Sequence, residues 1–526
     1  MEASFDSKNL NSLYDKITEN RGKPLDRWEI AALLEIYGIR DIDAQKEYGF
    51  ENVFEMADEM IKYKNTKNYP TKSLVQWEEV PPFRTRIFKN YIRGLAFAMP
   101  MFVQIFFTLS IGYALWSGVN MDKTKATVIA LGTFLALIIT GASAQAIGRK
   151  GLFYLKQDEL ILASNVTKVL FNIGTILVFV FGLILILINS FFQILPTYYF
   201  FVLISFYFLL SLLFLNISIY YMFEKYVKIL YFILFGIIFV YIAHGIFNIR
   251  LPEAQFIALV VLDFILSIFA YRKVSGLKKK NLISEGEVMP RASILFYSLI
   301  PFYFYGFLYF IFLVADRMVA WSTNVAAKPY FIWFDVPYEL GLDWALMALI
   351  LLMGLTEISI HEFMYRINDI VLKYEYKQYK KFNEQIYSFF KKFNIFYGIF
   401  SVIIIIATYL LIIIMHKITD FAYIENFLKG YTPFVFWVAA VSYAFLVNGL
   451  MNVLFMFSFS RQDFSVKSIA IATLTNIIVG MISSRMFGLE YAVFGLLIGS
   501  IMFWAYSFKY ASNMFKKLEF YYYSAF

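Results

Sequence analysis

Residues Thr197 to Met222 read TYYFFVLISFYFLLSLLFLNISIYYM, without one charged side chain. A helix needs ~20 mostly apolar residues to cross the ~30 Å hydrocarbon core of a bilayer, and this stretch exceeds that length. Thr127 to Ile147 and the window around Val402 to Met415 read the same way. Composition agrees: 60% of the 526 residues are hydrophobic and 16% are charged, against ~25% charged in soluble proteins. A water-soluble fold is excluded. The chain has no cysteine, so disulfides, thiolate metal sites and cysteine nucleophiles are excluded as well.

The same pattern predicts an all-α integral membrane protein with twelve spans, at residues 92–117, 125–147, 167–189, 197–222, 226–247, 254–271, 292–315, 336–360, 394–416, 432–458, 466–484 and 487–509. An even number puts both termini on one side. If that side is cytoplasmic, the inner loops hold twenty Lys and Arg residues and the outer loops seven. This positive-inside bias supports the count, because one missed span would invert every later loop. The expected location is therefore the cell (inner or plasma) membrane, multi-pass, with both termini cytoplasmic.

Residues 1–80 carry sixteen acidic and eleven basic residues, a local charge of −5 in a chain of +9, which leaves about +14 for the membrane part. The pattern predicts four regions: an acidic helical cytoplasmic extension over 1–85, an N-terminal six-helix half over 86–272, a basic linker over 273–291, and a C-terminal six-helix half over 292–526. In the extension, Asp26 and Glu29 form a capping-box pattern before Ile30, Ala31, Leu33 and Leu34, Gly38 ends that helix, and an acidic helix spans Glu51 to Lys62. The polar, acidic start is no signal peptide, so targeting rests with the first span. A solvated extension is the plain reading of 1–85; docking of a cytoplasmic glycosyltransferase or synthase-complex subunit is the functional one. A long inner connection, His361 to Lys392, reads as an amphipathic helix lying at the membrane face.

The two halves repeat one another. Span one carries Met99-Pro100-Met101-Phe102 and span seven Ile300-Pro301-Phe302-Tyr303, and both run on to a tryptophan, Trp116 and Trp321. Each is followed by a span rich in small and polar residues, Gly141 to Gln145 and Gly354 to Ser359. Six-plus-six repetition suits two bundles rocking about a central cavity. With proline in spans one and seven and a central basic linker, this architecture resembles the multidrug, oligosaccharidyl-lipid and polysaccharide (MOP) exporter superfamily, of which the MATE transporters are part. Within it, Ala315-Asp316-Arg317-Met318-Val319-Ala320-Trp321, Tyr338-Glu339-Leu340-Gly341-Leu342-Asp343-Trp344-Ala345 and Thr356-Glu357-Ile358-Ser359-Ile360-His361-Glu362-Phe363 look like the PelG family. The resemblance implies a flippase or exporter of a Pel-like exopolysaccharide, working by alternating access in biofilm polysaccharide export.

Ionisable groups inside a membrane cost at least ~2.5 kcal/mol and are functional candidates by default. Asp263, mid-way along span six among Val261, Leu262, Phe264 and Ile265, is the candidate for the substrate or ion pathway, and is expected to face the space between the halves. Gln104, Asn448, Asn452 and Asn476 add amides suited to a hydroxyl-rich substrate. Asp316 and Arg317 reach the outer end of span seven as a candidate outer gate. Glu357 and His361, four apart on one helix face, are a candidate proton-responsive inner gate, since imidazole titrates near neutral pH. The expected ligands are the bilayer and a polysaccharide, with a proton or sodium ion for coupling and no other cofactor, metal or nucleic acid. A cation-coupled multidrug or metabolite antiporter of the same superfamily is the first alternative, and a membrane-embedded glycosyl- or acyltransferase the second. The enzyme reading finds no phosphate-cradling glycine loop, zinc spacing or nucleophile elbow in the sequence.

Overall fold

The computed structural model describes residues 10, 12–14, 27–66, 82–118, 121–157, 159–280, 292–323, 332–371, 378–418 and 428–525. It divides into two compact units, Met1–Arg86 and Ile87–Phe526.

The first unit is a small helical body. Helix α1 (Arg27–Ile36), α2 (Asp41–Glu47) and α3 (Val53–Thr66) enclose Ile30, Leu33, Leu34, Ala44, Val53, Met56, Ala57 and Met60 with Tyr14. Gly38 ends α1 at φ 86, a left-handed value that suits glycine. The backbone N–H and the guanidinium of Arg40 both donate to Asp43 and hold its carboxyl below the usual range. Asp26 of the expected capping box lies outside the described residues. The predicted acidic helix at Glu51 begins at Val53, whose N–H donates to the Asp41 carboxylate at 2.8 Å.

The second unit holds twelve helices long and apolar enough to cross a membrane. They are span one Phe83–Ile111, two Lys123–Lys156, three Leu160–Phe192, four Thr197–Met222, five Tyr226–Ile246, six Leu251–Leu277, seven Leu295–Trp321, eight Val336–Ile367, nine Tyr379–Met415, ten Thr432–Ser458, eleven Gln462–Phe487 and twelve Leu489–Phe515. Among the described residues no strand forms beyond one isolated bridge between Tyr113 and Gly118. Helices satisfy every backbone polar group within one segment, which hydrocarbon demands. Several helices run past the predicted ends. Span eight belongs to a helix continuing to Val371, and span nine begins at Tyr379. The expected membrane-lying helix between them is thus two polar helix extensions; 372–377 lie outside the described residues. Charges and aromatics at helical spacing satisfy an upright helix as well as a flat one, and only packing separates the two. The linker likewise starts as helix, since span six continues to Lys280, and 281–291 are not described.

Span two packs on spans three and four, span six on three, four and five; in the other half, span ten packs on eight, nine and twelve, and eleven on twelve. The halves meet through spans two and seven. Glycine permits that crossing: a Cβ on Gly306 would stand 2.5 Å from the Gly141 carbonyl oxygen, and one on Gly141 would strike the Phe310 ring. Small residues let helix backbones approach without a hydrophobic driving force. Spans two, eight and ten are 61, 67 and 61% buried, whereas three and nine are only 17 and 22% buried, so the first set forms the interior and the second lies at the surface of the bundle.

Candidate functional site

Spans one and eight, from different halves, meet at the end that carries the basic loops. A Cβ on Gly94 would lie 2.8 Å from the Gly354 Cα and from the Met353 carbonyl oxygen, so only glycine fits there. One turn away the contact becomes ionic. Arg93 Nε lies 3.3 Å from Glu357 Oε1, and Arg93 Nη2 lies 2.6 Å from Glu224 Oε2. Lys156 Nζ reaches the other Glu224 oxygen at 3.3 Å, and His361 Nε2 lies 3.1 Å from Glu357 Oε1. Glu224 sits in the turn after span four with φ 55, a backbone value that costs a non-glycine residue energy and is found where a side chain must be aimed. Arg93, Glu224 and Glu357 side chains are each about 30% exposed. Pairs this wet contribute at most ~1 kcal/mol apiece, which allows the bridge to break and re-form.

Glu357 and His361 are therefore brought together as expected, and their partner across the halves is Arg93. Asp316 and Arg317 are placed differently from expectation. Among the described residues no ion pair joins the Arg317 side chain to that of its neighbour; Arg317 donates to Glu339 and lies 3.7 Å from Asp343, both on span eight of the same half. Trp321 Nε1 donates to Glu339 at 3.0 Å, and the Tyr338 hydroxyl donates to Asp316 at 3.1 Å. The result is a buried ionic knot fastening spans seven and eight within one half, touching the other half through the Phe134 ring, 5.9 Å from the guanidinium. Adjacent helix residues point about 100° apart, which turns Arg317 away from Asp316.

The pathway amides also divide. Gln104 braces the loop after span one, donating to the Ser117 hydroxyl at 3.2 Å and accepting the Leu115 N–H at 3.2 Å. Asn476 donates to the Phe312 carbonyl at 2.9 Å and fastens span eleven to span seven. Asn448 and Asn452 on span ten are buried, and their side-chain oxygens have no hydrogen-bond partner among the described residues. Asp263 is 6% exposed, and neither carboxylate oxygen has a hydrogen-bond partner among the described residues. Span six packs on spans three, four and five, so Asp263 is enclosed in the N-terminal half and does not face the space between the halves. Asp263→Asn is expected to keep the fold, because the amide preserves size and hydrogen bonding. If the carboxylate carries a coupling ion, ion-driven transport is lost while substrate binding remains. If it only packs, transport stays near normal and thermal stability shifts by ~1 kcal/mol. Parallel transport and melting measurements on the variant separate the two.

No family model matches the sequence, and no curated protein matches it. Solved structures do match in fold. A crystal structure of the Vibrio cholerae MATE transporter VcmN, as a point mutant, covers 84% of this chain and 98% of its own, with TM-score 0.57 and 13% identity. A MATE protein in the bent conformation covers 83% and 96%, at TM-score 0.55 and 14% identity. An outward-facing multidrug resistance MATE family transporter of the MOP superfamily covers 83% and 96%, at TM-score 0.54 and 13% identity. The fold is that of the MATE transporters.

In this MATE-like fold the ionic cluster at the basic end includes three residues that the sequence did not single out as site residues: Arg93, which reaches across to Glu357, and Glu224 and Lys156, which pair on the N-terminal side of it. Arg93 and Lys156 read as ordinary positive-inside residues. A turn glutamate among basic neighbours was the available signal for Glu224, but its partners lie in other helices.

Proposed function

We propose that the chain is a membrane transporter that works by alternating access between its two six-helix halves, with the basic end cytoplasmic, and that it exports or flips a polysaccharide. The ionic bridge from Arg93 to Glu357 carries the reading: it joins the halves at one end through weak, partly wet pairs beside a glycine contact, which is what a reversible inner gate requires. The polysaccharide substrate rests on the stretch from Ala315 to Phe363 with its PelG-like residues. The MATE-like fold and the enclosed carboxylate Asp263 favour a second reading, a cation-coupled antiporter for small molecules.

The gate is tested by charge exchange. Arg93→Glu or Glu357→Arg alone sets like charges face to face and is expected to weaken closure by about five- to thirty-fold, equivalent to one to two kcal/mol. The double exchange is expected to restore the part of it that belongs to position 357, since Glu224 still faces position 93. Distances between spin labels at Lys89 and Arg366 report closure without any substrate. A double variant no better than the single ones would rule out direct pairing. Transport in proteoliposomes of an oligosaccharide, set against a cationic dye, then separates the two substrate readings.

A further inference from the structure

Arg149 lies in a π-helical turn, Ile147–Gly151, that interrupts the basic end of span two. Single π turns cost helix regularity and mark functional positions in many proteins. The turn carries the Arg149 guanidinium into the other half, 4.6 Å over the ring of Phe457 at the end of span ten. Tyr305 of span seven packs edge-on against the same ring at 5.1 Å, and its hydroxyl is near enough to Arg149 for the two to interact electrostatically. Tyr305 is 1% exposed, and its hydroxyl has no hydrogen-bond partner among the described residues. No hydrogen bond or ion pair joins Arg149 to a described residue, although a guanidinium offers five N–H donors. Arg93, Lys156 and Arg317, by contrast, are each matched to carboxylates.

A cation with open donors, a buried hydroxyl with none of its bonds made, and an aromatic ring beneath both lack one thing, a planar anion. We propose that Arg149, Tyr305 and Phe457 form a subsite for an acidic group on the transported molecule, such as the carboxylate of a uronic acid or a phosphate. The guanidinium would take two oxygens of the anion in its fork, as arginine does with carboxylate and phosphate. The Tyr305 hydroxyl would donate a further bond, and Phe457 would shield one side from water. Because Arg149 belongs to one half and Tyr305 and Phe457 to the other, the anion would be held by both at once, and its arrival would replace the contact of Arg149 with Phe457. This makes the subsite part of the substrate path only under the transporter reading above, whereas binding itself can be measured without transport.

The test uses the purified full chain in phosphatidylcholine nanodiscs, titrated with trigalacturonic acid and, as the neutral counterpart, galactotriose. The acidic trisaccharide is expected to bind at least tenfold more tightly. Arg149→Gln should erase the difference, by the ten- to hundredfold typical of charge-assisted bonds; Arg149→Lys should keep part of it, and Tyr305→Phe should weaken it severalfold. Unliganded melting temperatures confirm folding, and if Arg149→Gln does not fold, the other two variants decide. Equal binding of the two sugars overturns the proposal, as does an acid preference untouched in all folded variants. So does occupancy seen only with phosphatidylglycerol in the nanodisc, which would assign the arginine to lipid headgroups. Acid-selective binding without any transport in proteoliposomes would keep this subsite and remove the transporter reading instead.

Discussion

Arg317→Met is expected to destabilise the protein by about 3–5 kcal/mol, the cost of leaving a buried charge without its partner. Glu339 and Asp316 are 4% and 1% exposed, and Arg317 is the cation that faces Glu339 and Asp343. With the guanidinium gone, Glu339 keeps the hydrogen bond from Trp321 but loses its counter-charge. Adding Glu339→Gln to Arg317→Met is expected to return a large part of the loss, because removing both members of a buried pair costs far less than removing one. Denaturation of the purified protein in detergent, followed by tryptophan fluorescence, measures both variants. Strictly additive losses would mean that the pair is not coupled. Since the knot lies within the C-terminal half, the surviving protein should close its basic end normally.

Gly94→Leu is expected to act in the opposite way, on closure and not on stability. Its Cβ alone would sit 2.8 Å from backbone atoms of Gly354 and Met353, and backbone cannot move aside as a side chain can. Overpacking of this kind costs ~1–3 kcal/mol, which disfavours the closed basic end by roughly five- to hundredfold. Spin-label distances between spans one and eight should lengthen, and transport should fall. Gly398→Leu on span nine, where an added Cβ meets nothing within 4 Å, is the control and should change neither. A Gly94→Leu variant that closes and transports normally would show that the contact of spans one and eight is not a gate.

How far the site was legible depends on whether a residue's partner sits in its own helix. Glu357 and His361 were readable as a pair because four positions make one helix face. Asp316 and Arg317, adjacent in sequence, invited pairing, yet adjacent residues on a helix diverge and Arg317 found Glu339 and Asp343 on span eight. Gln104 and Asn476 read as pathway amides because an amide suits a hydroxyl-rich substrate. The partners turned out to be a loop and a neighbouring helix, which sequence does not show. Asp263 sits mid-way along span six by position alone, whereas its facing depends on which helices surround that span.

The sequence by itself determined that the chain crosses a membrane, how many times, and with two similar halves, because the hydrocarbon core enforces length and apolarity residue by residue and admits only self-satisfied helices. It also located the prolines and small-residue runs that recur in both halves. Only the tertiary structure decided which charges meet: the bridge from Arg93 to Glu357, the knot around Arg317, and Arg149 over Phe457 each join helices distant in the chain. Helix formation is a local matter settled within a few residues, whereas an ion pair or a cation over a ring is settled by which faces the packed helices turn toward one another.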